Sequence, residues 1–166
     1  MENLGSATEQ KLNISGKFLT FLLDKEEYGI EVLRIKEIVG LMDITPIPMS
    51  PNFVKGIINL RGKIIPVIDL RLKFELNAAA YDDKTCIVVT ELSTNNTSFT
   101  MGLIVDTVCE VLTVTPDIVE KTPKFGNNFD PKFILGVAKV RNQIKTLLDI
   151  NGILSQEELV VLDSLE

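Results

Sequence analysis

The sequence predicts an all-β fold built from two related units, and three observations carry that prediction. Short runs rich in Val, Ile, Leu and Phe, bounded by Gly, Pro, Asn or Asp, recur from Phe18 to Ile150. The stretch ITPIPMSP places Pro46, Pro48 and Pro51 where they favour extended chain and forbid a helix. Finally, FVKGIINLRGKIIPVIDL (53–70) lies on FILGVAKVRNQIKTLLDI (133–150) at an offset of 80 without a gap. Gly56 then meets Gly136, Arg61 meets Arg141, and Asp69 meets Asp149.

Residues 1–14 are polar and are expected to be loose. In FLTFLL, the alternate sets Phe18, Thr20, Leu22 and Leu19, Phe21, Leu23 are apolar enough for a strand buried on both faces. The polar tetrad Asp24–Glu27 reads as a turn, and YGIEV resumes a strand. FVKGIINL and KIIPVIDL follow the prolines; Pro66 cannot donate to a ladder and so marks an edge or a bulge. A short helical turn is expected from Asp69 in DLRLKF. TCIVVTEL and TSFTMGLIV read as strands joined through the polar cluster Ser93–Ser98, and FILGVAKV and IKTLLDI as a final pair. The chain closes on a helix: Ser155-Gln156-Glu157-Glu158 has the form of a capping box, and Leu159, Leu162 and Leu165 recur on one face.

The repeat implies two copies of one hairpin, turning at Leu60–Lys63 and Val140–Gln143. Gly62 falls on Asn142, and these two residue types best tolerate a left-handed turn conformation. A second piece repeats at an offset of 73, YGIEVLRIKEI (28–38) over MGLIVDTVCEV (101–111), so that Gly29 meets Gly102 and Glu37 meets Glu110. Thr45-Pro46 recurs as Thr115-Pro116. Two all-β units follow, residues 15–80 and 81–154, divided near Ala78–Lys84, with residues 155–166 as the terminal helix. Neither unit can bury much alone, so they are expected to share an apolar interface. A small closed barrel suits units of this length because closure removes exposed strand edges.

Composition narrows the function. A formal charge of −6 is a poor footprint for binding a polyanion, so nucleic acid is not expected as a partner. Histidine is absent, which excludes His-based acid–base catalysis, Ser–His and Cys–His nucleophiles, imidazole metal ligation and a phosphohistidine relay. Cys86 and Cys109 stand far apart in apolar segments and read as buried free thiols. No metal and no cofactor is expected. The N-terminus lacks a signal core and no run is long enough to span a membrane, so a cytoplasmic protein without membrane insertion is expected.

Several residues have both a chemical and a structural reading. Gly56–Lys63 resembles a phosphate-binding loop, but it has one residue too many, and Ile64 stands where Ser or Thr should hold magnesium. Asp69 and Asp149 each end a strand at equivalent positions; capping the following turn explains both more simply than acid–base catalysis. Arg61, at a hairpin tip, is either a solvated turn residue or a fixed guanidinium offered to a partner's carboxylate. Glu37 lies between apolar residues and reads as a solvated strand face or a contact.

With these residues assembled, the sequence resembles the CheW family of chemotaxis coupling proteins. The most specific segments are EYGIEVLRIKEIVG and TPIPMSPNFVKGIINLRGKIIPVIDLRLKF, centred on Asn59-Leu60-Arg61-Gly62. MGLIVDTVCEVLTVTP, KTPKFG and LLDINGILSQEEL extend the resemblance to the C-terminal helix. It implies two intertwined five-stranded SH3-like barrels enclosing a shared hydrophobic interface, with no catalytic activity. It also implies an adaptor that links the cytoplasmic tip of methyl-accepting chemotaxis receptors to the regulatory domain of the histidine kinase CheA. Such an adaptor is cytoplasmic and recruited to receptor arrays at the inner face of the membrane, with weak self-association possible there. Of the positions matching the family pattern, Ile35, Glu37, Gly56, Arg61 and Thr85 are expected at partner surfaces. The same fold forms part of CheA and of response-regulator fusions; this sequence carries neither a kinase core nor a receiver, so a stand-alone adaptor is expected. A CheW-like adaptor of another kinase pathway is one rival reading, and a small β-barrel enzyme is a second.

Overall fold

The computed structural model describes residues 13–94, 97–120 and 133–163, which form eleven strands and two α-helices. The strands are β1 (Gly16–Leu23), β2 (Glu26–Glu31), β3 (Ile35–Gly40), β4 (Val54–Leu60), β5 (Lys63–Asp69), β6 (Cys86–Thr94), β7 (Thr97–Val105), β8 (Thr107–Val114), β9 (Val119–Glu120), β10 (Ile134–Val140) and β11 (Gln143–Leu148). Helix α1 spans Leu70–Lys73 and α2 spans Gln156–Asp163. The N-terminal segment up to residue 12, Asn95-Asn96, the KTPKFG segment and Leu165 lie outside the described residues.

The two aligned hairpins fold alike because their tips have the same backbone chemistry. Arg61 and Gly62 have φ of 52° and 88°, and Arg141 and Asn142 have 51° and 63°. Two consecutive positive φ values give the two-residue turn whose twist matches that of the flanking strands. Asn59 Oδ1 accepts a hydrogen bond from the Gly62 amide at 2.8 Å, which holds the first tip. Registers agree as well: Leu60 faces Lys63 and Val140 faces Gln143, and each ladder slips once, at Val54/Gly56 and at Ile134/Gly136. The Asp69 amide donates to the Phe53 carbonyl, and the Asp149 amide donates to that of Phe133. Thr45-Pro46 and Thr115-Pro116 are not equivalent in the same sense. Thr45 pairs with Ile57 on β4, whereas β10 pairs with Val119–Glu120, beyond a 3-10 turn that Pro116 opens.

The strands sort into a five-stranded sheet, β3-β6-β7-β5-β4, and a six-stranded sheet, β8-β1-β2-β11-β10-β9. The chain therefore exchanges strands between halves: β1 and β2 join the second hairpin's sheet, and β6 and β7 join the first's. Parallel pairing of β5 with β7 and of β2 with β11 knits the two halves together. Each sheet curls back on itself. Just after β3, Thr45 bonds Ile57 on the opposite edge strand, and just after β8, strand β9 bonds β10. Pro66 sits where β5 has one neighbour, since the ladder to β7 starts at Val67. In the second copy, which has Thr146 there, the equivalent parallel ladder starts earlier, at Lys145.

Burial follows from this double curl. Ile58, Leu60, Ile65, Val67, Ile87, Val89 and Ile104 fill the five-stranded barrel. Phe18, Leu112, Val114, Val119, Ala138 and Leu147 fill the other. A larger cluster, including Leu19, Phe21, Leu23, Ile68, Val88, Leu103 and Leu148, lies between the barrels. Adjacent residues point to different clusters, so β1 is buried on both faces, as its unbroken apolar run predicts, and so are β5, β6, β7 and β11.

Two expectations are corrected. Glu26 and Glu27 already belong to β2, so the turn after β1 is only Asp24-Lys25, with Asp24 at φ 61°. The cysteines are free but not buried: Cys86 is half-buried and Cys109 exposed. On β8, Thr20 faces Glu110 and Phe21 faces Val108, so Cys109 is the extra residue of a bulge that turns it outward.

Helix α2 begins as expected. Glu158 accepts from the Ser155 amide at 2.8 Å and the Glu158 amide donates to Ser155 Oγ at 3.1 Å. Leu159 and Leu162 then seat in the inter-barrel core. Lys73 Nζ holds the same Glu158 carboxylate at 3.0 Å while lying over the rings of Phe53 and Phe133. Ser155→Ala should lower stability by about 1 kcal/mol in a denaturant melt, with the fold retained.

Candidate functional site

Glu37 on β3 and Arg61 at the β4–β5 tip, far apart in sequence, form an ion pair with each other. β3 and β4 are the terminal strands of the five-stranded order, so this pair spans the seam where the barrel closes. The second copy repeats it: Arg141 at the β10–β11 tip donates to Glu110 on β8 at 3.2 Å, across the seam of the other barrel. An arginine at positive φ carries a backbone penalty of about 1 kcal/mol, so its recurrence at both tips points to the side chain as the reason. Arg61 remains 68% exposed despite the pair, leaving most of its guanidinium edge open. The Glu37 partner holds the Arg61 guanidinium in its charged form through its hydrogen bond and its charge.

The other three expected positions are not gathered around this pair. Ile35 is half-buried at the start of β3, opposite Thr90, and packs on the inter-barrel core. Thr85 precedes β6, whose Cys86 pairs with Gly40 at the far end of β3, about 10 Å from Glu37 by strand rise. There Thr85 closes a tight turn with Asp82: its amide reaches Asp82 Oδ1 at 3.1 Å, and the Asp82 amide donates to Thr85 Oγ1 at 2.9 Å. Gly56 is buried with φ 142°, and a Cβ there would lie 2.0 Å from the Thr45 carbonyl oxygen. Its immediate role is the close approach of two backbones.

Asp69 and Asp149 cap turns. Asp69 accepts from the Arg71 and Leu72 amides and from the Tyr81 hydroxyl, and Asp149 accepts from the Asn151 amide. Gly62-Lys63 forms a hairpin tip with a strand after it, so no helix N-terminus is available to hold phosphate. Among the described residues no group of His, Cys, Asp or Glu could hold a metal ion.

Charged residues buried in the six-stranded barrel were not anticipated. Lys145 is 1% exposed, and its Nζ lies 2.7 Å from Glu27, 3.5 Å from the Gln143 amide oxygen and 3.8 Å from Glu110. Burial would push the Glu27 carboxyl up, but the hydrogen bonds from Lys145 and Thr20 and the Lys145 and Arg141 charges hold it below its ordinary value. A signal was present in the repeat: Lys145 aligns with Ile65, an inward position of the first copy.

Comparison with known proteins concerns the whole chain. A family model described as a CheW-like domain matches residues 17–158. The chain is 36% identical to the chemotaxis protein CheW of Klebsiella aerogenes over 163 residues, covering 96% of each. It is 33% identical to that of Treponema pallidum, over 90% of this chain and 88% of the relative. The crystal structure of the scaffolding protein TtCheW from Thermoanaerobacter tengcongensis matches with a TM-score of 0.76 and 32% identity, over 87% of this chain and 91% of that one.

Proposed function

This chain belongs to the CheW-like domain family, and from that premise we propose how it acts as a chemotaxis scaffold. It couples chemoreceptors to the histidine kinase CheA by contact alone, without catalysis and without a cofactor. The observation that supports this best is the Glu37–Arg61 pair: a fixed, largely exposed guanidinium beside the seam of an otherwise apolar barrel. Such a fork can add a partner carboxylate while Glu37 keeps it oriented. Ile35 extends this contact surface along β3, while the buried Thr85 and Gly56 support it from beneath, Thr85 by closing the turn before β6 and Gly56 by holding the segment around Thr45 against β4. The groove between the two barrels takes the helical receptor tip, and Arg61 sets its register. The protein works in the cytoplasm and is recruited to arrays at the membrane through the receptors; no described helix is long and apolar enough to cross a membrane.

Arg61→Glu places two carboxylates together at the seam and removes the fork. Receptor pull-down and receptor-dependent CheA activation should fall at least tenfold, while Tm moves by no more than about 3 °C, since exposed ion pairs contribute roughly 1 kcal/mol or less. Arg61→Asn, which suits a left-handed turn, should lose coupling likewise. Coupling that survives both changes removes Arg61 from the partner surface.

A further inference from the structure

The chain passes between barrels at two points, and only one is tied down by charge among the described residues. At the β7–β8 crossover a single residue, Asp106, separates the strands. Its carboxylate receives both arms of the Arg71 fork, Nε to Oδ1 at 2.8 Å and Nη2 to Oδ2 at 2.6 Å. The same carboxylate accepts the Asp24 amide at 2.8 Å, and the Asp106 amide donates to the Leu22 carbonyl at 3.1 Å. Arg71 itself belongs to α1, which continues directly from β5; Asp69 caps that turn, and Arg71 Nη1 also holds the Asn77 carbonyl at 3.1 Å. One guanidinium thus fastens the exit of the five-stranded barrel, the crossover strand and the β1–β2 turn of the six-stranded barrel.

The other crossover, Val32–Arg34 between β2 and β3, lacks this fastening. The repeat sets Leu33 at the position of Asp106 and Asn151 at that of Arg71. Leu33 is 94% exposed, and Asn151 instead accepts the Ser93 amide at 3.2 Å. The duplicated fold therefore completes a crossover without such a pair, so Arg71–Asp106 is an addition to the fold and not a requirement of it.

The geometry points to Arg71–Asp106 as the positioning pair that fixes the angle between the two barrels, and with it the width of the groove that receives the receptor. Both residues act through the barrels they join. The inference rests on the scaffold reading above, and its main readout is independent of that reading.

Spin labels at Lys63 and Thr113, one exposed site on each barrel, placed in a Cys86→Ser, Cys109→Ser background, report the inter-barrel distance in the full chain. Arg71→Lys keeps the charge but loses the fork, and Asp106→Asn keeps the shape but loses the charge. In both, the distance distribution should widen at least twofold. Receptor-fragment affinity should fall at least fivefold. The swapped double variant Arg71→Asp, Asp106→Arg should recover part of both losses, which a general loss of folding would not allow. An unchanged distribution in the single variants, or a widened one with undiminished receptor affinity, overturns the assignment. Failure of the unaltered protein to bind receptor would instead refute the scaffold reading and leave the distance result to stand for the pair.

Discussion

Lys145→Ala lowers the unfolding free energy by about 3–5 kcal/mol at neutral pH, because it leaves the Glu27 carboxylate buried without its cation. The environment permits little relaxation: one Glu27 oxygen already lacks a hydrogen-bond partner, and the Arg141 charge that also favours the carboxylate is already paired with Glu110. The effect should depend on pH in a defined direction. Glu27 titrates below its ordinary value of 4.5 in the folded protein, so its contribution is complete above that value and is lost as pH falls through the lowered folded value. The deficit of Lys145→Ala is therefore largest near pH 7 and shrinks as pH falls and Glu27 takes up its proton in the unaltered protein. Denaturant melts in steps from pH 7 down to the acid limit of the fold measure this; a deficit below about 1 kcal/mol at pH 7, or one that stays constant over the whole series, contradicts it. Copying the other barrel should restore most of the loss. The double variant Lys145→Ile, Glu27→Thr installs the residues found at Ile65 and Thr100, and apolar replacement of a buried pair is often neutral or stabilising.

Gly56→Ala should be comparably severe for a steric reason. A Cβ would meet the Thr45 carbonyl oxygen at 2.0 Å and its carbon at 2.6 Å, and both are backbone atoms held by the two-way Thr45–Ile57 bonding of 2.9 Å each. Relief requires breaking that bridge and opening the barrel seam, and φ at 142° is itself strained for alanine. A loss of at least 3 kcal/mol, or roughly 6–12 °C in Tm, is expected. Gly136→Ala, at the equivalent place, meets its nearest atom, a Val119 methyl, at 3.0 Å and the Glu120 carbonyl oxygen at 3.2 Å, so it should cost about half as much or less. Equal effects at the two sites would show that crowding by Thr45 is not the cause. The contrast also bears on function: coupling lost in Gly56→Ala would follow from the displaced seam and not from a lost contact.

The site was legible in part. Arg61 and Glu37 were visible as charges interrupting apolar runs, and the repeat marked Arg141 and Glu110 beside them. Their pairing was not, because contact across a barrel seam depends on how far the sheet curls, which no local pattern records. The burial of Lys145 is hidden for a related reason. A lysine among apolar strand residues reads as outward-facing until the strand is known to be buried on both faces. The apolar neighbours of Cys109 suggest burial, but a bulge on β8 turns its side chain outward. Asp106 and Arg71 carry no signal that distinguishes a fork across a crossover from two solvated charges.

Eight of the eleven strands, both two-residue turns and the capped helix were determined by the sequence alone, since each rests on residues within one turn or one strand of each other. The duplication was determined by the match of distant segments. Strands β3, β8 and β9, too short or too polar to read locally, appear only in the structure. Which half supplies which strand was decided only by the tertiary structure. A repeat aligns equally well whether its units keep their own strands or trade them, because the same strands make the same kinds of pairs either way. The trade is settled by long-range packing: β1 must bury both its faces, and only a place between β8 and β2, against the second barrel's interior and the shared core, covers both.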